Sequence, residues 1–102
     1  MAFHNELIQA GKVIDRQGYT KAGRALAKHG GRRDSVFPKP TGRVAQINDQ
    51  GQRVLEKILS DPDRQVYRLP NGNVKVFSSD GRGVHFKQDN SFIGFIEKQY
   101  EK

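Results

Sequence analysis

The spacing of hydrophobic residues changes near Gln65, from a period of three to four residues to a period of two. A period of two is typical of strands, because successive strand side chains point to opposite faces of a sheet. Turn sequences separate the short alternating runs, and Pro70-Asn71-Gly72 is the strongest hairpin signal among them. The pattern predicts an antiparallel meander of four strands at residues 65–69, 73–77, 84–87 and 92–96, with further turns at 80–83 and 89–90.

Before Gln65 the hydrophobic residues recur at helical spacing. Thr20 has the residue type of an N-cap, and Gly30-Gly31 ends the helix that follows it. We expect three helices, at residues 3–12, at residues 21–29, and from residue 48 or 49 to the terminating Asp61-Pro62. Helices followed by a run of strands predict an α+β fold, in which N-terminal helices pack on one face of a four-stranded antiparallel β-meander.

The size and composition restrict the class of protein. A chain of 102 residues accommodates one domain, which we expect to span residues 1–102. The chain contains no Cys, which excludes disulfides, zinc-thiolate sites and cysteine nucleophiles. The mean hydropathy is -0.79, and no apolar run approaches the roughly 18 residues of a membrane span, so we expect a soluble chain that does not act on membranes.

Positive charge is concentrated in residues 12–43. The whole chain carries 18 Lys and Arg against 11 Asp and Glu, a formal net charge of +7, which favours an anionic partner. Residues 12–43 hold nine basic and two acidic residues, so the rest of the chain is balanced. Within this segment Lys21, Arg24 and Lys28 share one face of the second predicted helix.

Five glycine and proline residues interrupt residues 30–43, which we expect to form an irregular basic loop over the surface. This loop carries Arg32 and Arg33. We predict that the basic helix and this loop guide the backbone of an RNA substrate.

His29 and His85 are the candidate proton-transfer residues. A ribonuclease that uses the 2'-hydroxyl as nucleophile needs a base, an acid and cations that stabilise the pentacovalent phosphate. His29 ends the basic helix, whose dipole favours a protonated imidazole; the alternative is a capping or solvent-exposed histidine. His85 points to the opposite sheet face from Val84 and Phe86, where the alternative is a solvent-facing strand residue.

Several residues are candidates for binding the scissile phosphate. Arg82 lies between two glycines, whose backbone freedom would bring its guanidinium close to a phosphate; the alternative is an ordinary hairpin turn. Lys28 and Arg24 would supply further positive charge. Possible hydroxyl or amide donors, each of which is otherwise a turn or surface residue, are Ser91, Asn90 and Tyr100. We expect three aromatic residues to lie in the core rather than to stack on bases, namely Phe77, Phe92 and Phe95.

Other chemistries are disfavoured by the sequence. The histidines are scattered and no paired-acid or His-Glu-x-x-His motif occurs, so we expect no metal site and no cofactor. A P-loop, a dinucleotide fingerprint and a Gly-x-Ser-x-Gly elbow are all missing from the sequence, which removes nucleotide hydrolysis, redox and serine-hydrolase functions.

Four stretches together resemble the C-terminal toxin domains of bacterial contact-dependent inhibition and polymorphic toxin systems: TKAGRALAKHGGR at 20–32, INDQGQRVLEKILSDP at 47–62, DGRGVHF at 80–86 and SFIGFIE at 91–97. More specifically, the chain is similar to ribonuclease toxins of the barnase/EndoU/colicin/RelE superfamily. The resemblance implies N-terminal helices on a four-stranded antiparallel sheet and metal-independent RNA cleavage.

The resemblance also implies a site and partners. It places Lys28, His29, Arg82 and the third and fourth strands around one RNA cleft. We expect the substrate to be bound by Arg24, Lys21, Arg32, Arg33 and Ser91. The family pattern favours Arg over His at position 85, and if His85 is only a phosphate ligand then Lys28 or a water completes the acid/base pair. Similar toxins cleave tRNA, end a large exported protein delivered to the cytoplasm of a target bacterium, and are neutralised by a cognate immunity protein. A host translation factor that presents the tRNA is a further possible partner.

Two other functions fit the same positive charge. One is a non-catalytic RNA- or DNA-binding module, and the other is a protein-interaction domain whose basic face takes an acidic partner. Loss of RNA cleavage with retained binding in His29→Ala would distinguish a nuclease from a binding module.

Overall fold

The computed structural model describes residues 2–98, with no side-chain description for residues 2–4. Tyr100, a possible phosphate donor, lies outside the described residues. Three helices precede four strands: α1 (Ala2–Ala10), α2 (Lys21–Gly30), α3 (Val44–Ser60), β1 (Gln65–Arg68), β2 (Val74–Phe77), β3 (Arg82–Phe86) and β4 (Phe92–Glu97). The strands form one antiparallel sheet in the order β1-β2-β3-β4. The predicted α+β fold, with N-terminal helices and a four-stranded meander, is confirmed.

Helix α2 begins and ends close to the predicted positions. The Thr20 hydroxyl accepts from the Gly23 N–H at 2.9 Å, which satisfies one of the free amides of the first turn. The helix buries Ala22, Ala25 and Leu26, while Lys28 is exposed. The predicted division of α2 into a core face and a basic face is therefore confirmed.

Helix α3 begins at Val44, and the predicted start at Asn48 or Asp49 is wrong. The Arg43 backbone N–H donates to the Gln46 side chain at 2.7 Å, so a side chain inside the first turn caps the helix. Arg43 is not a usual N-cap residue type, and the sequence pattern alone did not indicate it. The predicted apolar stripe of α3 is buried at Val54, Leu55, Ile58 and Leu59.

Helices α2 and α3 cross at two glycines. A Cβ at Gly23 would lie 2.8 Å from the Asn48 Cα, and a Cβ at Gly51 would lie 2.8 Å from the Gly23 Cα. The Asn48 side chain accepts from the Thr20 N–H at 2.8 Å and donates to the Gly18 carbonyl at 3.0 Å. This close crossing fixes the position of the basic helix relative to the core.

The helices cover one face of the sheet, with α3 over β2 and β3 and α2 over β4. Between the layers lie the buried strand residues Val74, Val76, Val84, Phe86, Phe92 and Phe95. Phe92 and Phe95 therefore belong to the core, as predicted, and Phe77 is also buried, at 3% exposure. Among residues 2–98, no helix has both the length and the apolar character of a membrane span.

Two predicted details of the connections are wrong. Residues 31–43 are irregular as predicted, but they do not only run over the surface, because Phe37 inserts into the core and stacks on Phe95 at a centroid distance of 5.0 Å. The predicted turn at 80–83 ends earlier, since Gly81 adopts φ +89° and Arg82 already begins β3.

Candidate active site between helix α2 and strand β4

A cleft of about 260 Å³ lies between α2 and β4. The basic helix α2 forms one wall and residues 92–96 of β4 form the other. Successive side chains of a strand point to opposite faces of a sheet, and all five of these β4 residues line the cleft. The cleft therefore extends across β4, which is an edge strand.

Six of the nine residues predicted for the site line this cleft, namely His29, His85, Lys28, Arg24, Lys21 and Arg32. They come from α2, from the loop after it, and from β3, so only the tertiary fold brings them together. The other three predicted residues, Arg82, Arg33 and Ser91, do not line it.

The cleft has a strong excess of positive charge. Among the described residues, its lining includes four basic side chains, those of Lys21, Arg24, Lys28 and Arg32, and a single acidic side chain, that of Asp15. Asp15 lies 3.3 Å from Arg24 Nη1, with both side chains partly exposed. One of the four cations is thus partly neutralised, and the remaining charge favours a polyanion.

His29 lines the cleft and is packed against aromatic rings. Its ring lies 5.3 Å from that of Phe37 and 6.5 Å from that of Phe95, and the residue is only 9% exposed. Its Nδ1 lies 3.4 Å from the Arg32 guanidinium. Since a guanidinium can only donate, Nδ1 presents its lone pair in this contact, and the neutral ring carries its proton on Nε2.

The surroundings of His29 favour its neutral form. Burial lowers the pKa of His29, the positive charges of Arg32 and Lys28 lower it further, and the Glu97 carboxylate opposes them. The helix dipole alone was expected to favour the protonated form, and that expectation is wrong because burial and the neighbouring cations dominate. At neutral pH His29 is therefore a proton acceptor rather than a donor.

Glu97 is a buried carboxylate next to this site, at 5% exposure. It accepts from the Ser35 hydroxyl at 2.8 Å, and the same hydroxyl accepts from the Phe37 N–H at 3.1 Å. These contacts fix the loop segment whose Phe37 ring packs against His29.

His85 lies on β3 and faces the cleft, partly buried. Its Nε2 lies 3.4 Å from the Asn73 side-chain amide. Gly94 is its direct partner on β4, and directly paired residues of antiparallel strands project to the same face. His85 is thus accessible from the cleft beside a residue that has no side chain.

Arg82 is directed at the loop instead of the cleft. Its Nε donates to the Val36 carbonyl at 2.9 Å and lies 3.4 Å from the Asp80 carboxylate. Ser91 is a turn residue whose hydroxyl donates to Asp89 at 2.6 Å, and Arg33 is exposed in the loop.

Sequence reasoning missed four features of the site. Asp15 and Phe37 lie in irregular segments, where no periodicity indicates what they contact. Glu97 ends a strand, a position at which a carboxylate is ordinarily exposed. Gly94 did carry a signal, because a glycine in the interior of a strand indicates a close approach to the backbone.

The described residues contain no group of three or more His, Asp or Glu side chains arranged to hold a metal ion. The positive charges of the cleft come from Lys and Arg side chains. The arrangement combines a neutral imidazole, a second imidazole and several phosphate-binding cations along one groove.

Comparisons with known proteins agree on one family. A family model described as the CdiA C-terminal tRNase toxin domain matches residues 8–97. A crystal structure of the toxic C-terminal tip of CdiA from Pseudomonas aeruginosa, in complex with its immune protein, is similar with a TM-score of 0.71 and 28% sequence identity. The match covers 87% of this chain and 99% of that chain. No curated protein matches significantly.

Proposed function

Since the chain belongs to the family of CdiA C-terminal tRNase toxin domains and is therefore a tRNA-cleaving endoribonuclease toxin, we propose that it cuts RNA in the cleft between α2 and β4. As a CdiA C-terminal domain it is the toxic part of a larger delivered protein. The observation that carries the proposal is the meeting of His29, His85 and four cations in one cleft.

The proposed reaction uses the 2'-hydroxyl next to the scissile phosphate as nucleophile. His29 accepts the proton of that hydroxyl, the O2'–P bond forms, the P–O5' bond breaks, and His85 gives a proton to the departing O5'. The products are a 2',3'-cyclic phosphate and a 5'-hydroxyl end. No metal ion is needed, because Lys28, Arg24 and Arg32 supply the positive charge that stabilises the transition state.

The position of Arg32 supports the assignment of His29 as the base. The lone pair of His29 Nδ1 faces the Arg32 guanidinium. When that guanidinium binds a phosphate instead, Nδ1 becomes available as a proton acceptor beside the bound phosphate. The lowered pKa of His29 keeps this nitrogen unprotonated at neutral pH. For Arg82 we propose a positioning role. Its hydrogen bond to the Val36 carbonyl stabilises the loop whose Phe37 ring packs against His29.

The test is to incubate the purified domain with bacterial tRNA, with and without EDTA, and to compare the parent with His29→Gln and Lys28→Ala. We expect both variants to lose activity, the histidine variant by about 100-fold or more, and the parent to cut equally well in EDTA. Lys57→Ala is the matched control for Lys28→Ala, because Lys57 is an exposed lysine of α3 that does not line the cleft.

The circular dichroism spectrum of each variant establishes that it has folded. If folded His29→Gln cuts tRNA as fast as the parent, His29 is not the base. If EDTA stops cleavage, the metal-independent mechanism is wrong. Cyclic-phosphate ends on the fragments are expected, and 3'-hydroxyl ends would contradict attack by the 2'-hydroxyl.

We also propose that an immunity protein with an acidic surface covers this cleft, which is supported by the immune protein bound to the similar CdiA tip. Complementary charge would speed its association and exclude tRNA at the same time. Delivery to the cytoplasm of a target bacterium is proposed because the substrate tRNA is there. A host translation factor that presents the tRNA would be revealed if cell extract accelerates cleavage of purified tRNA, and no acceleration would exclude it.

A further inference from the structure

Gly94 lies in the interior of β4, where a glycine is unusual. Strands favour β-branched and aromatic residues, and a glycine there weakens the strand. Its neighbours in β4 follow the usual preference, with Ile93 before it and Phe95 after it. The presence of a glycine at this position therefore requires a specific explanation.

The backbone conformation does not supply that reason. Gly94 is not among the glycines with positive φ, so an ordinary residue can adopt its conformation. The pairing of β3 with β4 shifts between His85 and Phe86 and leaves Ile93 as the extra residue of a bulge. A bulge that requires glycine places it in the left-handed region, and Gly94 is not in that region.

Packing within the chain does not supply the reason either. Within residues 2–98, a Cβ built at Gly94 would meet no atom within 4 Å apart from its chain neighbours. By contrast, a Cβ at Gly83 on the adjacent strand would lie 2.5 Å from the Phe77 ring. The space at Gly94 is empty, and it opens into the cleft beside His85.

The surroundings of this space indicate what fits there. The cations of α2 lie on the opposite wall of the cleft. With the scissile phosphate bound to these cations, as the proposed function requires, the attached sugar and base have room toward β4. On this wall Ile93 is 44% exposed, which provides an apolar surface suited to a ribose or base. The planar base of a nucleoside can lie against bare backbone, and a side chain at position 94 would occupy its place.

We propose that the backbone at Gly94 is a nucleoside-binding subsite, on which the nucleoside adjoining the scissile phosphate lies beside His85. The subsite rests on the proposed function, because it assumes that the cleft is where RNA is cut. Gly94 is accordingly a specificity-determining residue that admits substrate through the absence of a side chain.

The experiment compares Gly94→Ala and Gly94→Val with the parent, measuring kcat and KM on bacterial tRNA together with the melting temperature. We expect about a tenfold loss of kcat/KM for Gly94→Ala and a loss of about 100-fold or more for Gly94→Val, because the side chain fills the subsite. The melting temperature should stay the same or rise, since a Cβ at this position meets no atom of residues 2–98 within 4 Å apart from its chain neighbours, and Val favours strands.

Gly31→Ala is the matched control. Gly31 also has an ordinary backbone conformation, with φ -84°, and its Cβ would make no contact closer than 3.4 Å. It does not line the cleft, so this variant should keep the parental activity.

Parental kcat/KM in Gly94→Val would overturn the inference. A loss of activity that is matched by a fall in melting temperature would also overturn it, because the glycine would then be structural. If Gly94→Val is fully active while His29→Gln and Lys28→Ala are inactive, the subsite fails and the cleft remains the active site. If all three variants cut like the parent, the proposed function itself fails.

Discussion

His29 combines the properties of a core residue and of a catalytic base. Its ring packs against Phe37 and Phe95, as a purely structural histidine would, but it also borders the cleft. Burial, Arg32 and Lys28 lower its pKa, and Glu97 opposes that effect. A base works in its unprotonated form, so the lowered pKa extends activity to lower pH.

The pH profile tests this electrostatic environment. On the acid side of the profile, kcat/KM of the parent should begin to fall only below the ordinary imidazole pKa of 6.5, as His29 becomes protonated. Arg32→Gln removes a positive charge that disfavours imidazolium, so it should raise the pKa of His29 and move the acid limb to higher pH. The measurement is kcat/KM from pH 4.5 to 8 for both proteins, with Lys57→Gln as control. If Arg32→Gln lowers kcat/KM equally at every pH and leaves the acid limb at the same pH as in the parent, that limb reflects the titration of a group other than His29.

Among the elements, the crossing of α2 and α3 determines where the basic face points. Gly23→Ala should destabilise the protein by about 1–3 kcal/mol through overpacking against Asn48, although alanine is the better helix former. Urea unfolding at pH 7 measures this change. Gly31→Ala, which places the same methyl group at the helix end without a close contact, should be nearly neutral. Equal stability of Gly23→Ala and the parent would contradict the close crossing.

The elements themselves were largely predictable because local signals specify them. Thr20 has a capping side chain, and Gly72 adopts φ +90° in the predicted hairpin turn. The start of α3 and the insertion of Phe37 were not predictable, because each depends on contacts formed only in the folded chain. Helical periodicity also predicts that Lys21, Arg24 and Lys28 lie on one face of α2.

The cleft as a whole was not predictable from spacing. No periodicity links α2 to His85, and only the family resemblance indicates that they share one cleft. Arg82 illustrates the limit, since its glycine neighbours suggested a phosphate ligand while its guanidinium contacts Val36. The buried Glu97 is another case, because its burial follows from the loop that covers the end of β4.

For the molecule as a whole, the separation of charge is the dominant property. The entire net charge of +7 belongs to residues 12–43, and four of the nine basic residues in this segment line the cleft. A polyanion is therefore attracted to one side of the molecule, and both tRNA and an acidic immunity protein would approach that side. The same substitutions in this domain should consequently change its affinity for tRNA and its affinity for the immunity protein.

The ion pair between Asp15 and Arg24 allows that expectation to be tested with changes of opposite sign. Arg24→Gln removes a cleft cation, so it should weaken tRNA binding and reduce the slope of log Kd against log salt concentration by about one. Asp15→Asn removes the carboxylate that partly neutralises Arg24, so it should tighten binding at low salt. Both should be measured in the His29→Gln background, where tRNA stays intact, and then repeated with the cognate immunity protein. If the two substitutions change tRNA affinity in opposite directions but leave immunity binding unchanged, inhibitor and substrate use different surfaces. If each substitution changes the affinity for tRNA and the affinity for the immunity protein in the same direction, the same electrostatic field attracts both partners. A toxin could then not use these charges to escape the inhibitor without also losing its affinity for tRNA.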